Sequence, residues 1–266
     1  MRRLALLLLV AVGVVRASGA PWGGGTTPVP RSTIESRLAM ATRGNDARHA
    51  ILVQLFRSAG CEVTEQPFAR AKPSNVICTL PGASARRILV TAHFDMTGPG
   101  LGVGDNWGSA SLLPSFYESL RATNPQHTIV FIGFSEEEEG LVGARHYLRS
   151  TNLDDIDAMI NLDGAGMAAT RVWGTKSDRR LVRRLRELAK EMNLELVDSS
   201  LDGSGIMDSF PFHERGVPVL SIHGLAPGNY GIPHSRHDDF HAVDARYLND
   251  TYRLVLRMIT VVDAGS

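Results

Sequence analysis

Histidines and carboxylates recur at five places along the chain: His93-x-Asp95, Asp105, the run Glu136-Glu137-Glu138-Glu139, Asp163 and His234. Taken singly, each is an ordinary turn residue or surface charge. Their settings set them apart. His93, the glutamates and Asp163 each follow an apolar run, whereas Asp105 and His234 lie in polar loops. Four consecutive carboxylates repel one another unless protons or a cation relieve them. Imidazole nitrogens and carboxylate oxygens, with no thiolate among them, suit zinc first, then manganese or cobalt. The residues alone leave open which glutamates take part, and whether His234 or His237 does.

The elements that must gather these groups alternate between strand and helix. Ile88-Leu89-Val90-Thr91-Ala92, Thr128–Phe134 and Ala158–Leu162 are continuous apolar runs, the mark of strands buried on both faces. Further strands are expected at Arg171–Trp173, Glu195–Val197 and Val217–Ile222. Helices are expected from a Ser32-Thr33-Ile34-Glu35 capping box to Ala41, from an Asn45 cap over Asp46–Ala59, from the Asp105 loop to Leu120 with Pro114 in its first turn or at a kink, over Leu141–Arg149, Asp178–Met192 and Pro211–Arg215, and over Ala245–Val261. The fold class is α/β: a three-layer, doubly wound, mostly parallel sheet with an antiparallel edge hairpin. Such sheets place chemistry at the carboxyl ends of their strands, where the acidic run stands.

The hairpin is expected from Cys61–Phe68 and Asn75–Leu80, turning near Ala69–Pro73. A pairing that sums to about 139 in residue number would set Cys61 opposite Cys78, as a disulfide or as two buried thiols. Arg2-Arg3, the apolar run Leu4–Val15 and the small residues to Ala20 have the order of a secretory signal, so residues 1–20 are expected to be a signal peptide, 21–30 a flexible lead-in and 31–266 one domain. The protein is then secreted or periplasmic, with no stable membrane association after cleavage. Lys+Arg and Asp+Glu are both 28, so no net charge attracts nucleic acid. The arginines of 178–192 interleave with Asp178, Glu187 and Glu191 and form a solvated helix face.

The motifs His93-x-Asp95, Asp105-Asn106, Glu137-Glu138-x-Gly140-Leu141, Asn161-Leu162-Asp163 and His234-Ser235-x-x-Asp238 together resemble the two-zinc exopeptidase family of secreted leucyl aminopeptidases, aminopeptidase Y, glutamate carboxypeptidase and the glutaminyl cyclases. The resemblance runs from about His49 to Leu256. It implies two zinc ions per chain: Asp105 bridges them, His93 and Asp163 complete one site, and Glu138 and His234 the other. It makes Asp95 the partner of the His93 ring, and Glu137 the general base that takes a proton from the attacking water and passes it to the leaving amine. Substrates are then peptides with a free N-terminus. A cis peptide is expected at Asp105-Asn106. Two positions depart from the family pattern: Gly108-Ser109 stands in reversed order, and Asp208-Ser209 replaces Asp-His. The alternatives on this scaffold are a glutaminyl cyclase, a carboxypeptidase using Arg236 or Arg145 as its clamp, and a non-catalytic binding domain. Loss of a ligand or of the base would signal the last of these, and none is lost.

Overall fold

The computed structural model describes residues 24–68, 74–203 and 205–265. The signal segment and the hairpin turn near Ala69–Pro73 lie outside the described residues. The strands are β1 Val63–Gln66, β2 Asn75–Leu80, β3 Ser84–His93, β4 His127–Phe134, β5 Ile156–Asp163, β6 Thr170–Trp173, β7 Leu196–Ser199 and β8 Val219–His223. They form one eight-stranded sheet in the order β1-β2-β4-β3-β5-β8-β6-β7. The four central strands, β4-β3-β5-β8, are parallel. The β1–β2 hairpin joins β4 antiparallel at one edge, and β6 joins β8 antiparallel at the other, so the sheet is mostly parallel with reversed edges.

Alternation along the central strands sends side chains into two separate cores. Ile88, Val90, Phe131, Ile160 and Leu220 meet the helices α1 Arg31–Leu38, α2 Asn45–Ser58, α3 Gly108–Leu120, α5 Arg179–Glu191 and α7 Ala245–Asp263. Leu89, Val130, Ile132, Met159 and Val219 meet α4 Val142–Ser150 and α6 Phe210–His213 on the opposite face. The near-continuous apolar character of these strands follows from burial on both sides. No helix among the described residues is long and apolar enough to cross a membrane.

Two helix starts differ from expectation. Ser32 and Thr33 fall inside α1, whose N-cap is Pro30, and Glu35 pairs with Arg31 at 2.8 Å instead of closing a capping box. Helix α2 is preceded by Gly44, and the Asn45 side chain accepts the Met96 N–H at 3.0 Å. Asp178 does cap α5, accepting from the N–H groups of Arg180 and Leu181. Pro114 lies inside α3, past the first turn. The last residues of the lead-in are packed: Thr27 N–H donates to Ser119 O at 2.9 Å, and Val29 N–H to Tyr252 Oη at 2.8 Å.

Cys61 and Cys78 form a disulfide. The hairpin register is not the expected one: Cys78 lies opposite Val63, and Cys61 bridges to it from just before β1. Replacing both cysteines by alanine is expected to lower the free energy of unfolding by about 3 kcal/mol, the chain-entropy value for a loop of this size. Urea denaturation of the oxidised wild type against the double variant measures it. Equal midpoints with equal slopes would contradict the expectation.

Candidate metal centre

Four of the expected site residues lie where strand geometry places them. His93 ends β3, Asp163 ends β5, and the glutamates follow β4. Because β3 lies between β4 and β5, these three ends adjoin at one edge of the sheet. The acidic run forms a tight turn and not a helix: Glu136 and Leu141 adopt φ of 59° and 61°, and the N–H groups of Gly140 and Leu141 both donate to Glu137 O, at 2.9 and 2.8 Å. This turn splits the run. Glu139 is exposed, while Glu137 and Glu138 turn inward.

Asp105 and His234 come from loops. The turn Val103–Trp107 carries Asp105 into the site, and the Asp105-Asn106 peptide is cis, as expected. The Asn106 side chain fastens this turn to the end of β5, donating to Leu162 O at 3.0 Å and accepting the Gly164 N–H at 2.9 Å. Asp238 fastens it from the other side, accepting the N–H groups of Gly104 at 2.6 Å and Asp105 at 3.1 Å.

Asp105 stands at the centre of the cluster. Its Oδ1 is 3.3 Å from His93 Nε2, which is 3.8 Å from Asp163 Oδ1. Its Oδ2 is 3.2 Å from His234 Nε2, which is 2.8 Å from Glu138 Oε2. Two groups of three potential ligands, His93–Asp105–Asp163 and Asp105–Glu138–His234, thus share one carboxylate, each through a different oxygen. His93 and Glu138 also form a group with Glu137. Asp95 lies behind: its Oδ1 is 3.4 Å from His93 Nδ1, and its Oδ2 accepts the Glu138 N–H at 3.1 Å. His237 is exposed and belongs to none of these groups.

The electrostatics show what such a cluster requires. Burial pushes Glu137 up to about 10 against the pull of His93, with Asp208 adding to the rise. Burial, and then Asp105, raises Glu138 to about 7. Asp105 moves the other way: burial works to raise it, but hydrogen bonds with His234 and His93 hold it below the ordinary carboxylate range. The hydrogen bond with Asp105 lifts His234 to about 9. Protons therefore gather where carboxylates crowd. Divalent cations relieve the same crowding, and the donor set fits them: Nε2 of each histidine and carboxylate oxygens converge, and buried Glu138 Oε1 has no hydrogen-bond partner among the described residues.

The centre floors a cavity of about 480 Å³ whose walls include Leu201, Ile206, Leu225, Tyr230 and Pro233. Sequence reasoning passed over Asp208 as a contributor and treated Asp238 only as context. Asp208 is buried, neither of its oxygens has a hydrogen-bond partner among the described residues, and burial raises it to about 8. At the two departures from the family pattern, Ser109 Oγ accepts the Ala165 N–H at 3.0 Å, and Ser209 Oγ lies 2.7 Å from Ser221 Oγ. Both serines therefore have structural partners.

The model of peptidase family M28 matches residues 75–259, and the chain belongs to that family. It is 29% identical over 139 residues to aminopeptidase YwaD of Bacillus subtilis, covering 49% of this chain and 30% of that protein. The chain spans between 11 and 39% of the length of eight curated relatives that it matches. Its fold is that of the LapA aminopeptidase of Legionella pneumophila, with a TM-score of 0.79 at 17% identity over 88% of this chain and 72% of that one. It is also that of a glutaminyl cyclase from an Acidobacteriales bacterium, with a TM-score of 0.73 at 20% identity over 90% of this chain and 97% of that one.

Asp238→Ala is expected to leave the Gly104 and Asp105 N–H groups without their charged acceptor, and to cost about 3 kcal/mol of stability. Chemical denaturation of wild type and variant checks this, and a loss under about 0.5 kcal/mol would show that the turn does not depend on the carboxylate.

Proposed function

We propose that the chain is an exported, zinc-dependent aminopeptidase that removes N-terminal residues from peptides. The observation that carries this reading is the position of Asp105, whose two oxygens face two separate imidazole–carboxylate pairs. His93 and Asp163 would hold one zinc ion with Asp105, and Glu138 and His234 the second. When bound, the two ions supply Lewis acidity, which polarises a scissile carbonyl and makes water a competent nucleophile at neutral pH.

The chain's own residues supply the rest. Glu137 projects into the cavity beside both groups without being needed to complete either. Its carboxylate accepts the proton that the attacking water must lose, then gives it to the departing amine. Asp95 keeps the His93 ring oriented so that Nε2 faces the cluster. The carboxylates flooring the cavity attract a free α-ammonium group. Its apolar wall, from Leu201 to Pro233, accepts an uncharged side chain.

Among the described residues, no arginine or lysine lines the cavity, so it lacks the cationic clamp that a carboxypeptidase needs for a terminal carboxylate. The two arginines considered for that role are not among its lining residues: Arg145 is exposed and donates to Gly140 O, and Arg236 is exposed. The Cys61–Cys78 bridge supports an oxidising destination, in keeping with the signal-like N-terminus.

Peptides with free N-termini are expected to be cleaved and N-blocked ones spared, with activity lost to a chelator and restored by zinc. Glu137→Ala is expected to keep both metal equivalents while turnover falls by about 10²–10⁴-fold. Glu138→Ala should lose metal as well. Near-normal turnover of Glu137→Ala would remove it as the base. A single zinc equivalent, together with cyclisation of N-terminal glutamine, would replace this reading with a glutaminyl cyclase.

A further inference from the structure

Residues 94–102 join the end of β3, with His93, to the turn that carries Asp105. Their carbonyls are gripped by two arginines, Arg43 just before α2 and Arg48 in its first turn, that the proposed reaction does not use. Arg48 donates through Nη1 to Phe94 O at 3.0 Å and through Nη2 to Gly102 O at 2.8 Å and to Leu101 O, while its Nε donates to Thr42 O at 2.9 Å. Arg43 Nη1 donates to Gly100 O at 3.0 Å and to Pro99 O. The far side of this loop lies against the segment that carries His234. Leu101 N–H donates to Asp238 O at 2.7 Å, and a Cβ on Gly98 would come within 2.4 Å of His234 O. Gly98 also has φ of 79°, so the close approach and the backbone both demand glycine there. The loop is therefore a spacer, clamped between α2 and the His234 segment.

Arg48 is fully buried, with its guanidinium 5.6 Å from the centroid of the Trp107 ring. It occupies the apolar face of α2, one turn before Leu52 and two before Phe56. A guanidinium there is costly unless its donors are met and its charge is countered. Backbone carbonyls meet the donors. Burial brings its pKa down to about 10, and Asp238, Asp95 and Asp105 oppose the fall, so it stays charged at neutral pH. A leucine would satisfy the helix at this position. Only a planar fork reaches the carbonyls of Phe94, Leu101 and Gly102 at once.

We infer that Arg48 is a positioning residue for the Asp105–Glu138–His234 group: it fixes the loop that spaces Asp105 from His234, and binding of a metal ion by those three ligands depends on it. The inference rests on the reading of this cluster as a metal centre, and its test separates the two. The chelator-treated full chain is titrated with Co²⁺ and followed by visible absorption, which reports ligand geometry. Circular dichroism and melting temperature report the fold. Wild type is expected to take up two equivalents. Arg48→Met is expected to keep one equivalent near wild-type affinity and to bind the other about 10–100-fold more weakly, with an altered spectrum. Arg48→Lys, which keeps the charge but not the fork, should fall between them.

Two equivalents bound at wild-type affinity with an unchanged spectrum in folded Arg48→Met would overturn the inference. Equal weakening of both equivalents in step with a lower melting temperature would overturn it as well, since that is what general loosening produces. Where Arg48→Met does not fold, Arg48→Lys and Arg43→Met decide on the same criteria. A wild type that binds no cobalt or zinc would instead sink the metal reading itself.

Discussion

The structure depends on holding mutually repelling carboxylates together at one edge of a sheet. Asp105, Glu137, Glu138 and Asp163 line a single cavity, and Asp95 and Asp208 are buried just behind. At separations of a few ångströms in a partly dry site, like charges oppose one another by several kcal/mol per pair at an effective dielectric of about 20. The fold must therefore supply rigid attachment and positive charge from nearby. It does so unequally: His93 and His234 lie among the carboxylates, backbone N–H groups hold the outer ones, and Arg48 lies behind.

Attachment comes from two kinds of element. The strand-borne residues are fixed by the central ladder, where β3 pairs with β4 through His93↔Phe134 and with β5 through Thr91↔Asn161. The loop-borne residues have no ladder, and side chains replace it. Asn106 ties the Asp105 turn to β5, Asp238 ties it to the His234 segment, and Asn45 with Arg48 ties the intervening loop to α2. Backbone groups of a loop that cannot pair in a sheet must find partners elsewhere when buried, and these polar side chains are those partners.

This division also explains what could be read from the sequence. The central strands were legible because burial on both faces leaves an uninterrupted apolar run, and the residues that end those runs, His93 and Asp163, were legible with them. The register of the glutamates was not a matter of periodicity: a turn with φ of 59° at Glu136 sends Glu137 and Glu138 inward, and only the family pattern pointed to that pair. Helix starts were misjudged where a side chain with good capping chemistry was used across the fold, as Asn45 is by Met96. Arg48 left one local signal, a cation on the apolar face of α2. That signal does not say which carbonyls it reaches, because they lie some fifty residues further along the chain. The expected cross-strand cysteine pair shows the same limit: the bridge exists, but the register sets Val63 opposite Cys78 and leaves Cys61 to reach in from outside the strand.

The two groups of potential ligands differ in a way that follows from their supports. His93, at the end of β3, is 2% exposed, and both of its ring nitrogens face carboxylates. His234 has a side chain 52% exposed, on a loop residue with φ of 61°, and only its Nε2 faces the cluster. His93 is paired to β4 and Asp163 to β8, so two residues of the first group are set by the sheet itself, and Asp105 is brought to them by its turn. The second is pre-formed only as far as the loops around His234 and Gly98 are held in place. Sites built on strands keep their geometry more closely than sites built on loops. The second group is also the more exposed of the two, through His234. Its supports must therefore act from behind, and the carbonyls that Arg48 grips are on that hidden side.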